Sequence, residues 1–535
     1  MNTITQPISC GEALIALLER YDVDTVFGIP GVHTLDLYRG LANSTIRHIQ
    51  ARNEQGAGFM ADGYARLSGR PGVCVLISGP GVTNACTAMG QSFADSIPVL
   101  VISSTTASNS LGKGWGCLHE VTDLEAVTRP LTALSATASS AGEIEELIGQ
   151  AFSIFASERP RPVHIAIPID VLATPVIDTW QRRVEPARPA PDLLEIRKAA
   201  ALLRQAKRPL IYVGGGAVST VPVLTKIAEC LDAAVFTTTA GKGVVPDTHP
   251  LCISGSMVHS LARNFLAKAD VILAIGTELS ETEGFKGRMP LNGQLIRIDI
   301  DSGKINDLYS PAVGIVGDAE LAAHELLVEL GNQNQNHNTA DEVSLVRNSL
   351  FDELTDSESR HIRMLNALRG ILPGEAVIFG DICQVVYTGA FAYSVEHPRQ
   401  WNYPAGYGTL GCALPNAIGG KLALDDTPVV VLVGDGGFMF TVQELITAAE
   451  LHLSLPIIIW NNGGLKQIRD DMVQRNIPVV GVDGINPNFM QLAEAFGCQS
   501  VRPDSEAAFK CAVTKALEAE SPTLIELFEN SDWLS

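Results

Sequence analysis

The sequence has no apolar run of about 18 to 20 residues, the length that a membrane-spanning helix requires. It also has no CxxC pair. Its ten cysteines are scattered, which predicts free thiols, most of them buried, in a reducing compartment. Positive charge is scarce: 38 lysines and arginines face 59 aspartates and glutamates, for a net charge of −21. This balance argues against nucleic acid or an anionic membrane as a partner. The first residues lack the basic region and apolar core of a signal peptide, so we expect a cytoplasmic protein.

What the sequence does contain is typical of a well-buried globular protein. Over 535 residues, 46% are hydrophobic and 18% are charged, which suits a chain of more than one domain. Forty-eight glycines suit the tight turns that join strands to helices. Short apolar runs that end in glycine alternate with segments of helical periodicity. The predicted fold class is therefore α/β, with three doubly wound parallel-sheet domains.

Two polar stretches divide the chain into these domains. VEPARPAPD, from Val184 to Asp192, and GNQNQNHNT, from Gly331 to Thr339, are both typical of linkers. They predict domains at residues 1–180, 190–330 and 350–535.

Two glycine-containing motifs follow successive strands in the last domain. Val429–Val433 predicts a strand buried on both faces and leads into Gly434-Asp435-Gly436. Pro456–Trp460 predicts the next strand and leads into Asn461-Asn462-Gly463. A right-handed βαβ unit places both strand ends on one edge of the sheet, where ligands bind. We therefore expect Asp435 and Asn462 to converge.

The chemistry of these two motifs suits a diphosphate bound through a divalent metal. Mg²⁺ prefers oxygen ligands, and it usually takes one or two carboxylates together with phosphate oxygens. Glycines allow the backbone to approach a phosphate closely. Plain turns between helices and strands use the same residue types, but the spacing of one βαβ unit between the two motifs favours a site.

GDG followed by NN at this spacing is similar to the thiamine-diphosphate motif of the acetolactate synthase and 2-oxo acid decarboxylase superfamily. EQGAGFMADGYAR and GVCVLISGPGVTN carry the same resemblance. It implies a pyrimidine-binding first domain, a central Rossmann-like domain and a diphosphate-binding last domain. It also implies that the cofactor and Mg²⁺ are held by Gly408, Leu410, Gly434, Asp435, Gly436, Gly437, Asn462 and Gly464. Among these, the metal ligands would be Asp435, Asn462 and the Gly464 carbonyl.

Glu54 is the first candidate catalytic residue. Taken alone, it reads as a surface glutamate at a helix start, which the helix dipole favours. The resemblance instead implies that it partners the pyrimidine ring nitrogen of thiamine diphosphate. That proton relay would produce a C2 ylide, which adds to a 2-oxo acid and becomes an enamine after loss of CO₂. Relatives often have His before this glutamate, where this chain has Asn53.

His119 and His33 are the other candidate catalytic residues. His119 lies in GWGCLHEVTDLE, where acetolactate synthases tend to show Phe-Gln-Glu. A histidine there could protonate the enamine and so favour a decarboxylase, although an interface or loop role is an equal alternative. His33 lies in GIPGVHT, a turn that resembles one lining the active site of relatives.

The resemblance is greatest to decarboxylases of 5-guanidino-2-oxopentanoate, and it rests on GIPGVHTLDLYRGL, LHE, YGTLGCALPNAIGGKL and the Lys466–Asp470 stretch. A guanidinium substrate would pair with a carboxylate, and Asp470 and Asp471 are candidates. A solvated charge pair on a helix face is the commoner explanation for two such residues. The alternative activity within the family is carboligation of the acetolactate synthase type.

The family also implies a homodimer as the minimal active unit, commonly assembled as a homotetramer, because Glu54 and Asp435 come from different domains. Relatives that bind FAD hold it in the central domain, and the sequence leaves FAD open. Gly214-Gly215-Gly216 matches the dinucleotide fingerprint poorly, which disfavours an NAD oxidoreductase. A non-catalytic role is disfavoured because Glu54, Asp435 and Asn462 are all present.

Overall fold

The computed structural model describes residues 6–285, 287–331, 335–352, 354–424 and 426–535. Residues 332–334 of the predicted linker Gly331–Thr339, and the first five residues of the stretch considered for a signal peptide, lie outside the described residues. The chain forms two compact units. The first comprises Met1–Ala187, Gly406–Asp426 and Met439–Leu453, and the second comprises Arg188–Ala405, Thr427–Phe438 and Ser454–Ser535.

In chain order, the helices and strands are β1 (Ile8–Ser9), α1 (Cys10–Arg20), β2 (Thr25–Gly28), α2 (Leu35–Ala42), β3 (Arg47–Gln50), α3 (Glu54–Ser68), β4 (Gly72–Leu76), α4 (Pro80–Asp95), β5 (Val99–Thr105), α5 (Leu124–Thr128), β6 (Leu134–Thr137), α6 (Ala141–Ser157), β7 (Val163–Pro168), α7 (Ile169–Leu172), β8 (Pro175–Val176), α8 (Leu193–Gln205), β9 (Pro209–Val213), α9 (Val221–Leu231), β10 (Ala234–Thr237), α10 (Ser260–Leu266), β11 (Val271–Ile275), β12 (Gln294–Asp299), α11 (Ser302–Ile305), β13 (Val313–Val316), α12 (Ala319–Leu330), α13 (Thr339–Leu350), α14 (Asp356–Arg369), β14 (Val377–Gly380), α15 (Gln384–Ala392), β15 (Trp401–Asn402), α16 (Ala413–Ala423), β16 (Val429–Gly434), α17 (Asp435–Phe438), α18 (Glu444–Glu450), β17 (Pro456–Asn461), α19 (Lys466–Gln474), α20 (Phe489–Ala495), β18 (Gln499–Val501), α21 (Glu506–Leu517) and β19 (Thr523–Phe528).

The first unit is built on a six-stranded parallel sheet in the order β3-β2-β4-β5-β7-β6. Its first helix, α1, begins with a capping box: Ser9 accepts from the Glu12 backbone N–H, and the Glu12 side chain accepts from Ser9. Helix α3 is capped by the Asn53 side chain and ends at Gly69 in the left-handed conformation.

Glycines explain why α16 packs on α3, within the first unit. A Cβ on Gly63 would lie 2.0 Å from the Asn416 carbonyl oxygen, and one on Gly419 would lie 1.8 Å from the Met60 carbonyl oxygen. Only glycine permits so close an approach of two backbones. This packing holds the start of α3, where Glu54 stands, on a rigid support.

The second unit contains two further parallel sheets. The five-stranded sheet has the order β10-β9-β11-β12-β13, and the six-stranded sheet has the order β15-β14-β16-β17-β19-β18. Every residue of β16 and β17 is buried, as expected for central parallel strands covered on both faces.

The two six-stranded sheets share one strand order. Numbered within its own sheet, each runs second, first, third, fourth, sixth, fifth. The three parallel sheets confirm the predicted α/β class. In each six-stranded sheet the second strand lies on one side of the first strand and the third lies on the other, and open sheets bind ligands where the strand order reverses in this way. These switch points lie between β2 and β4 and between β14 and β16.

Two other expectations have different outcomes. None of the described helices is both long and apolar enough to cross a membrane. All ten cysteines are free, but only five are buried, four are half-buried and Cys511 is exposed. The expectation that most thiols are buried is therefore met by half of them.

Candidate active site

Asp435 and Asn462 stand at the ends of neighbouring strands. In the ladder between β16 and β17, Gly434 pairs with Trp460, so the two strand ends are level. Asp435 follows at once, only 1% exposed, and its Oδ1 accepts a 3.4 Å hydrogen bond from the backbone N–H of Asn462. The structure thus brings these two predicted residues together, as the βαβ argument anticipates.

Three oxygens face one another at this point. With its amide oxygen turned inwards, Asn462 places that oxygen 3.1 Å from the Gly464 carbonyl oxygen and 3.3 Å from Asp435 Oδ1. With the amide reversed, its nitrogen would donate to both. A bound cation among the oxygens would favour the first orientation. Neighbouring oxygens of an octahedral Mg²⁺ site lie roughly 2.9 Å apart, because each is 2.0–2.1 Å from the metal. The donor set therefore fits Mg²⁺.

The Gly464 carbonyl is fixed by its backbone. Gly464 has φ +136°, and a Cβ there would lie 2.3 Å from the Val482 carbonyl oxygen, so only glycine fits. The Val482 carbonyl also accepts from Leu465 N at 2.9 Å. Among the described residues, no group of three or more His, Cys, Asp or Glu side chains could hold a metal. A metal site at this edge would therefore use amide and carbonyl oxygens beside one carboxylate.

The glycines of the first motif are closely packed. A Cβ on Gly436 would lie 3.0 Å from Leu465 Cδ2, and one on Gly437 would lie 3.1 Å from Asp381 Oδ1. Asp381 is fully buried at the end of β14, across the switch point. Any added side chain would displace the loop that carries Asp435.

Asn486 and Asn461 surround the candidate metal ligand, and the sequence did not single them out. Asn486 Nδ2 donates to Asp435 Oδ2 at 2.6 Å and lies 3.3 Å from Asn461 Oδ1. Asn461 Oδ1 also accepts from Gly463 N at 3.2 Å. Asn461 belongs to the NN motif and could have been considered from its position. Asn486 is 51 positions from Asp435 and stands in no motif.

Glu54 begins α3 in the first unit. It is half-buried, and its Oε2 accepts a 2.9 Å hydrogen bond from Asn84 Nδ2 on α4. A Cβ on Gly81 would lie 3.5 Å from Glu54 Oε1. The first turn of α4 therefore packs beside the carboxylate, and Asn84 fixes one of its oxygens. Sequence reasoning did not identify Asn84, although it lies in the quoted GPGVTN segment.

Glu444 holds the backbone just before Glu54. Its carboxylate accepts from Arg52 N at 3.0 and 3.1 Å, from Asn53 N at 3.0 Å and from Thr447 Oγ1 at 2.9 Å. Burial raises the pKa of Glu444 to about 7, against the opposing effect of these hydrogen bonds. The side chain fills the space beside Gly56, where a Cβ would lie 2.3 Å from Glu444 Oε1. Glu444 is 392 positions from Arg52, so no local pattern marks it.

His33 and His119 lie together in the first unit, near its switch point. Their rings are 5.1 Å apart and nearly perpendicular, and His33 Nδ1 is 3.2 Å from Ser78 Oγ. Burial and the neighbouring His119 lower the pKa of His33. His119 has φ +60°, and its Nδ1 is buried without a hydrogen-bond partner among the described residues. An unpartnered ring nitrogen beside a second histidine can accept or deliver a proton.

Glu120 holds the loop that carries His119. Its carboxylate accepts from Gly114 N at 2.9 Å, Gly116 N at 2.8 Å and Cys117 N at 3.0 Å. Desolvation pushes the pKa of Glu120 upward, but the backbone donors outweigh it and keep the pKa below its ordinary value. The loop is thus organised around an ionised carboxylate.

The segment of Gly408 and Leu410 belongs to the first unit. Gly408 has φ +73°, and a Cβ there would meet nothing within 4 Å. Thr409 donates to Gln91 Oε1 through Oγ1 at 2.8 Å and through its backbone N–H at 3.3 Å. Leu410 is half-buried. The segment is anchored at Thr409 and leaves space open beside Gly408.

The two aspartates proposed for a guanidinium differ in their contacts. Asp470 Oδ2 pairs with Lys466 Nζ at 2.6 Å and accepts from Gln384 Nε2 at 3.1 Å. Asp471 Oδ1 accepts from Gln467 Nε2 at 3.4 Å. Asp470 has the i,i+4 geometry of an ordinary ion pair on a helix face. Asp471 is the freer of the two to pair with a substrate cation.

The glycines of the central sheet serve the packing of two loops. A Cβ on Gly214 would lie 2.1 Å from the Gly276 carbonyl oxygen, and one on Gly216 would lie 2.9 Å from Gly276 Cα. The loops after β9 and β11 therefore touch, and this contact alone requires glycine. The run Gly214-Gly215-Gly216 is therefore explained by the packing of these two loops, in keeping with its poor match to a dinucleotide fingerprint.

Comparison with known proteins identifies the family. Three family descriptions match: "Thiamine pyrophosphate enzyme, N-terminal TPP binding domain" at residues 8–126, the central domain at 196–326, and the C-terminal TPP binding domain at 381–527. The chain is 48% identical to a protein named probable 2-ketoarginine decarboxylase from Pseudomonas aeruginosa, over 97% of this chain and 94% of the relative.

Acetolactate synthases are also similar. The large subunit of isozyme 1 from Escherichia coli is 33% identical over 96% of this chain and 93% of that protein. Acetolactate synthase from Mycobacterium bovis is 30% identical over 98% of this chain and 89% of that protein. Each family description falls on one of the three parallel sheets, and each of these relatives aligns with at least 96% of the chain. This chain belongs to the thiamine pyrophosphate enzyme family.

Proposed function

We propose that this protein catalyses the non-oxidative decarboxylation of a 2-oxo acid with thiamine diphosphate and Mg²⁺, and that 5-guanidino-2-oxopentanoate is its substrate. The observation that carries the proposal is similarity, at 48% identity over nearly the whole chain, to a protein named as a 2-ketoarginine decarboxylase. The same chain keeps a carboxylate at Glu54, a metal donor set around Asp435, and a pair of contacting histidines.

The metal would be held by Asp435 Oδ1, Asn462 Oδ1 and the Gly464 carbonyl oxygen. These donors carry one negative charge and leave coordination positions for diphosphate oxygens, as Mg²⁺ sites usually do. The glycines at 434, 436 and 437 keep the backbone near enough for a phosphate to approach. The bound cofactor would supply the electron sink that makes loss of CO₂ possible.

Proton transfer would be divided between two groups of residues. Glu54 would hold the proton exchanged with the pyrimidine ring nitrogen, while Asn84 fixes the orientation of its carboxylate. Gly408 and Leu410 would contact the same ring. His33 and His119 would deliver a proton to the carbon that loses CO₂, so that the product leaves as an aldehyde. A general acid or base of this kind contributes roughly 10²- to 10⁴-fold to the rate.

The guanidinium group of the substrate would pair with Asp471. Support comes from its position on α19, which begins two residues after Gly464, and from the contrast with Asp470, whose charge is already met by Lys466. A carboxylate that pairs with a guanidinium forms a strong, charge-assisted hydrogen bond.

Carboligation of the acetolactate synthase type is the second candidate. The similarity to three acetolactate synthase relatives at 30–33% identity favours it. In that case the residues at 118–120, which read Leu-His-Glu here, would serve to hold the first intermediate until a second 2-oxo acid arrives.

We further propose a homodimer as the minimal active unit, assembled as a homotetramer, in the cytoplasm. Glu54 belongs to the first unit and Asp435 to the second. We retain three domains at residues 1–180, 190–330 and 350–535, and the described chain between Val176 and Leu193 has neither helix nor strand. A flavin in the central domain would colour the protein yellow, but this decarboxylation transfers no electrons and does not need one.

The proposal is tested by a screen of 2-oxo acids for CO₂ release, with thiamine diphosphate and Mg²⁺ added to the full-length protein. We expect the highest kcat/KM with 5-guanidino-2-oxopentanoate, with pyruvate at least tenfold poorer. Asp471→Asn should raise KM for the guanidino substrate and leave the KM for pyruvate unchanged, whereas Asp470→Asn is the matched control. Acetolactate formed from pyruvate as the main product would favour the second candidate instead.

A further inference from the structure

One side chain outside every motif contacts the candidate metal ligand. Asn486 Nδ2 donates to Asp435 Oδ2 at 2.6 Å, whereas Asp435 Oδ1 faces Asn462 and Gly464. We propose that Asn486 is a positioning residue that keeps Asp435 a one-oxygen ligand and so favours Mg²⁺ over Ca²⁺. This inference rests on the metal site of the proposed function.

The argument starts from the two oxygens of the Asp435 carboxylate. A carboxylate that is free to turn can offer both oxygens to one cation. Ca²⁺ accepts such two-oxygen binding within a flexible shell of 6–8 oxygens, whereas Mg²⁺ requires a near-ideal octahedron. The hydrogen bond from Asn486 holds Oδ2 on its own side of the carboxylate, so Oδ1 is the oxygen turned toward Asn462. The arrangement therefore suits the stricter geometry of Mg²⁺.

The orientation of the Asn486 amide is determined by its neighbours. Its nitrogen lies near two acceptors, Asp435 Oδ2 and Asn461 Oδ1. The Asn461 amide is oriented in turn, since its Oδ1 accepts from Gly463 N and its Nδ2 donates to Glu526 Oε1 at 2.7 Å. Asn486 is thus a donor toward Asp435.

The far end of this chain of hydrogen bonds is anchored on β19. Glu526 is 2% exposed, and its Oε2 accepts from Arg502 Nη2 at 2.6 Å and from Nε at 3.0 Å. Arg502 therefore balances the charge of Glu526 and leaves the other carboxylate oxygen for Asn461. The sequence of contacts runs from Arg502 through Glu526, Asn461 and Asn486 to Asp435. The Asp435 carboxylate cannot turn without breaking its hydrogen bonds from Asn486 and from the Asn462 backbone.

The test compares Asn486→Ala with wild type and with Asn488→Ala. Asn488 lies two positions further on and caps α20, where its Oδ1 accepts from Met490 N and Gln491 N. Full-length protein is saturated with thiamine diphosphate, and Mn²⁺ binding is measured by electron paramagnetic resonance in competition with Mg²⁺ and with Ca²⁺. This readout does not depend on turnover. Asn486→Ser is measured in parallel, so that a poorly folded alanine variant does not decide the result.

We expect Mg²⁺ affinity to fall roughly 10- to 100-fold in both Asn486 variants, the usual cost of losing a partner that orients a metal ligand. Ca²⁺ affinity should fall less, so the preference for Mg²⁺ should drop, while Asn488→Ala keeps the wild-type preference. An unchanged ratio of Mg²⁺ to Ca²⁺ affinity in both variants would overturn this inference alone. A wild-type protein that binds no Mn²⁺ would overturn the proposed metal site, and this inference with it.

Discussion

Asn84 Nδ2 lies 2.9 Å from Glu54 Oε2 and fixes that oxygen at the start of α3. The second oxygen, Oε1, takes no part in this hydrogen bond, so we expect it to be the oxygen that exchanges a proton with the cofactor. The Glu54 carboxylate therefore has one oxygen, Oε2, fixed by Asn84, and a second oxygen, Oε1, that is available for reaction.

Glu54→Gln should lower kcat by roughly 10²- to 10⁴-fold, because glutamine keeps the shape of the side chain but cannot exchange the proton. Binding of thiamine diphosphate, followed by calorimetry, should change by only a few-fold. Asn84→Ala should have a smaller effect of the same kind. Glu143→Gln is the control, since that carboxylate caps α6 by accepting from Ser139 N at 2.7 Å. Wild-type turnover in Glu54→Gln would remove Glu54 from the mechanism.

Removal of divalent cations should abolish activity, and added Mg²⁺ should restore it. Asp435→Asn removes the one charge of the donor set. It should weaken Mg²⁺ binding by more than the roughly 10- to 100-fold that losing a partner of a metal ligand costs. The exposed residue Asp504 provides a control, and Asp504→Asn should bind Mg²⁺ like wild type. Full activity of the protein in a strong chelator would contradict the metal site.

His119→Gln should shift the products rather than stop the reaction. Glutamine is the residue that the resemblance to acetolactate synthases implies at this position, and it cannot deliver the proton that releases an aldehyde. With pyruvate as substrate, the yield of acetaldehyde should fall and the share of acetolactate should rise, as measured by chromatography. The exposed His324 on α12 gives the control variant His324→Gln, whose products should match wild type. Unchanged product ratios in His119→Gln would assign His119 a structural role.

Glu444 predicts a pH dependence of stability. Burial raises its pKa from an ordinary 4.5 to about 7, so between these values the folded protein keeps a proton that the unfolded chain has released. Stability from this group therefore falls as the pH rises from 4.5 to 7, by roughly 3 kcal/mol in total. The charge of Arg52 favours the ionised form, and the pKa of about 7 already includes this opposing contribution.

Glu444→Gln lacks this titration. The melting temperature of wild type relative to the variant should therefore decline between pH 5 and pH 7 and level off by pH 8, whereas the exposed Glu375→Gln should track wild type throughout. A constant difference between wild type and Glu444→Gln over this range would mean that Glu444 does not carry the proton.

The sequence predicted the features that depend on chain order. Parallel strands joined by one crossover must end on the same edge, so Asp435 and Asn462 could be placed together from their spacing alone. The Ser9–Glu12 capping box was predictable from local spacing, because its two partners are three positions apart. Such contacts are local, or they follow from a single handedness rule.

The residues that sequence reasoning missed reach their partners across the fold. Asn486 contacts Asp435 over 51 positions, and Glu444 contacts the residues before Glu54 over more than 390. Neither stands at a spacing that a helix or strand would repeat. Their roles depend on which loops the packed sheets bring together, and that information lies in the whole core rather than in any motif.

The product balance with 5-guanidino-2-oxopentanoate tests whether the protein is a decarboxylase or a carboligase. Full-length protein with thiamine diphosphate and Mg²⁺ is supplied with this substrate alone, and CO₂ and the organic product are both quantified. We predict one CO₂ and one 4-guanidinobutanal for each substrate consumed, with no coupled product. Failure to release CO₂, or recovery of a carbon–carbon coupled acid in place of the aldehyde, would contradict the proposed decarboxylase.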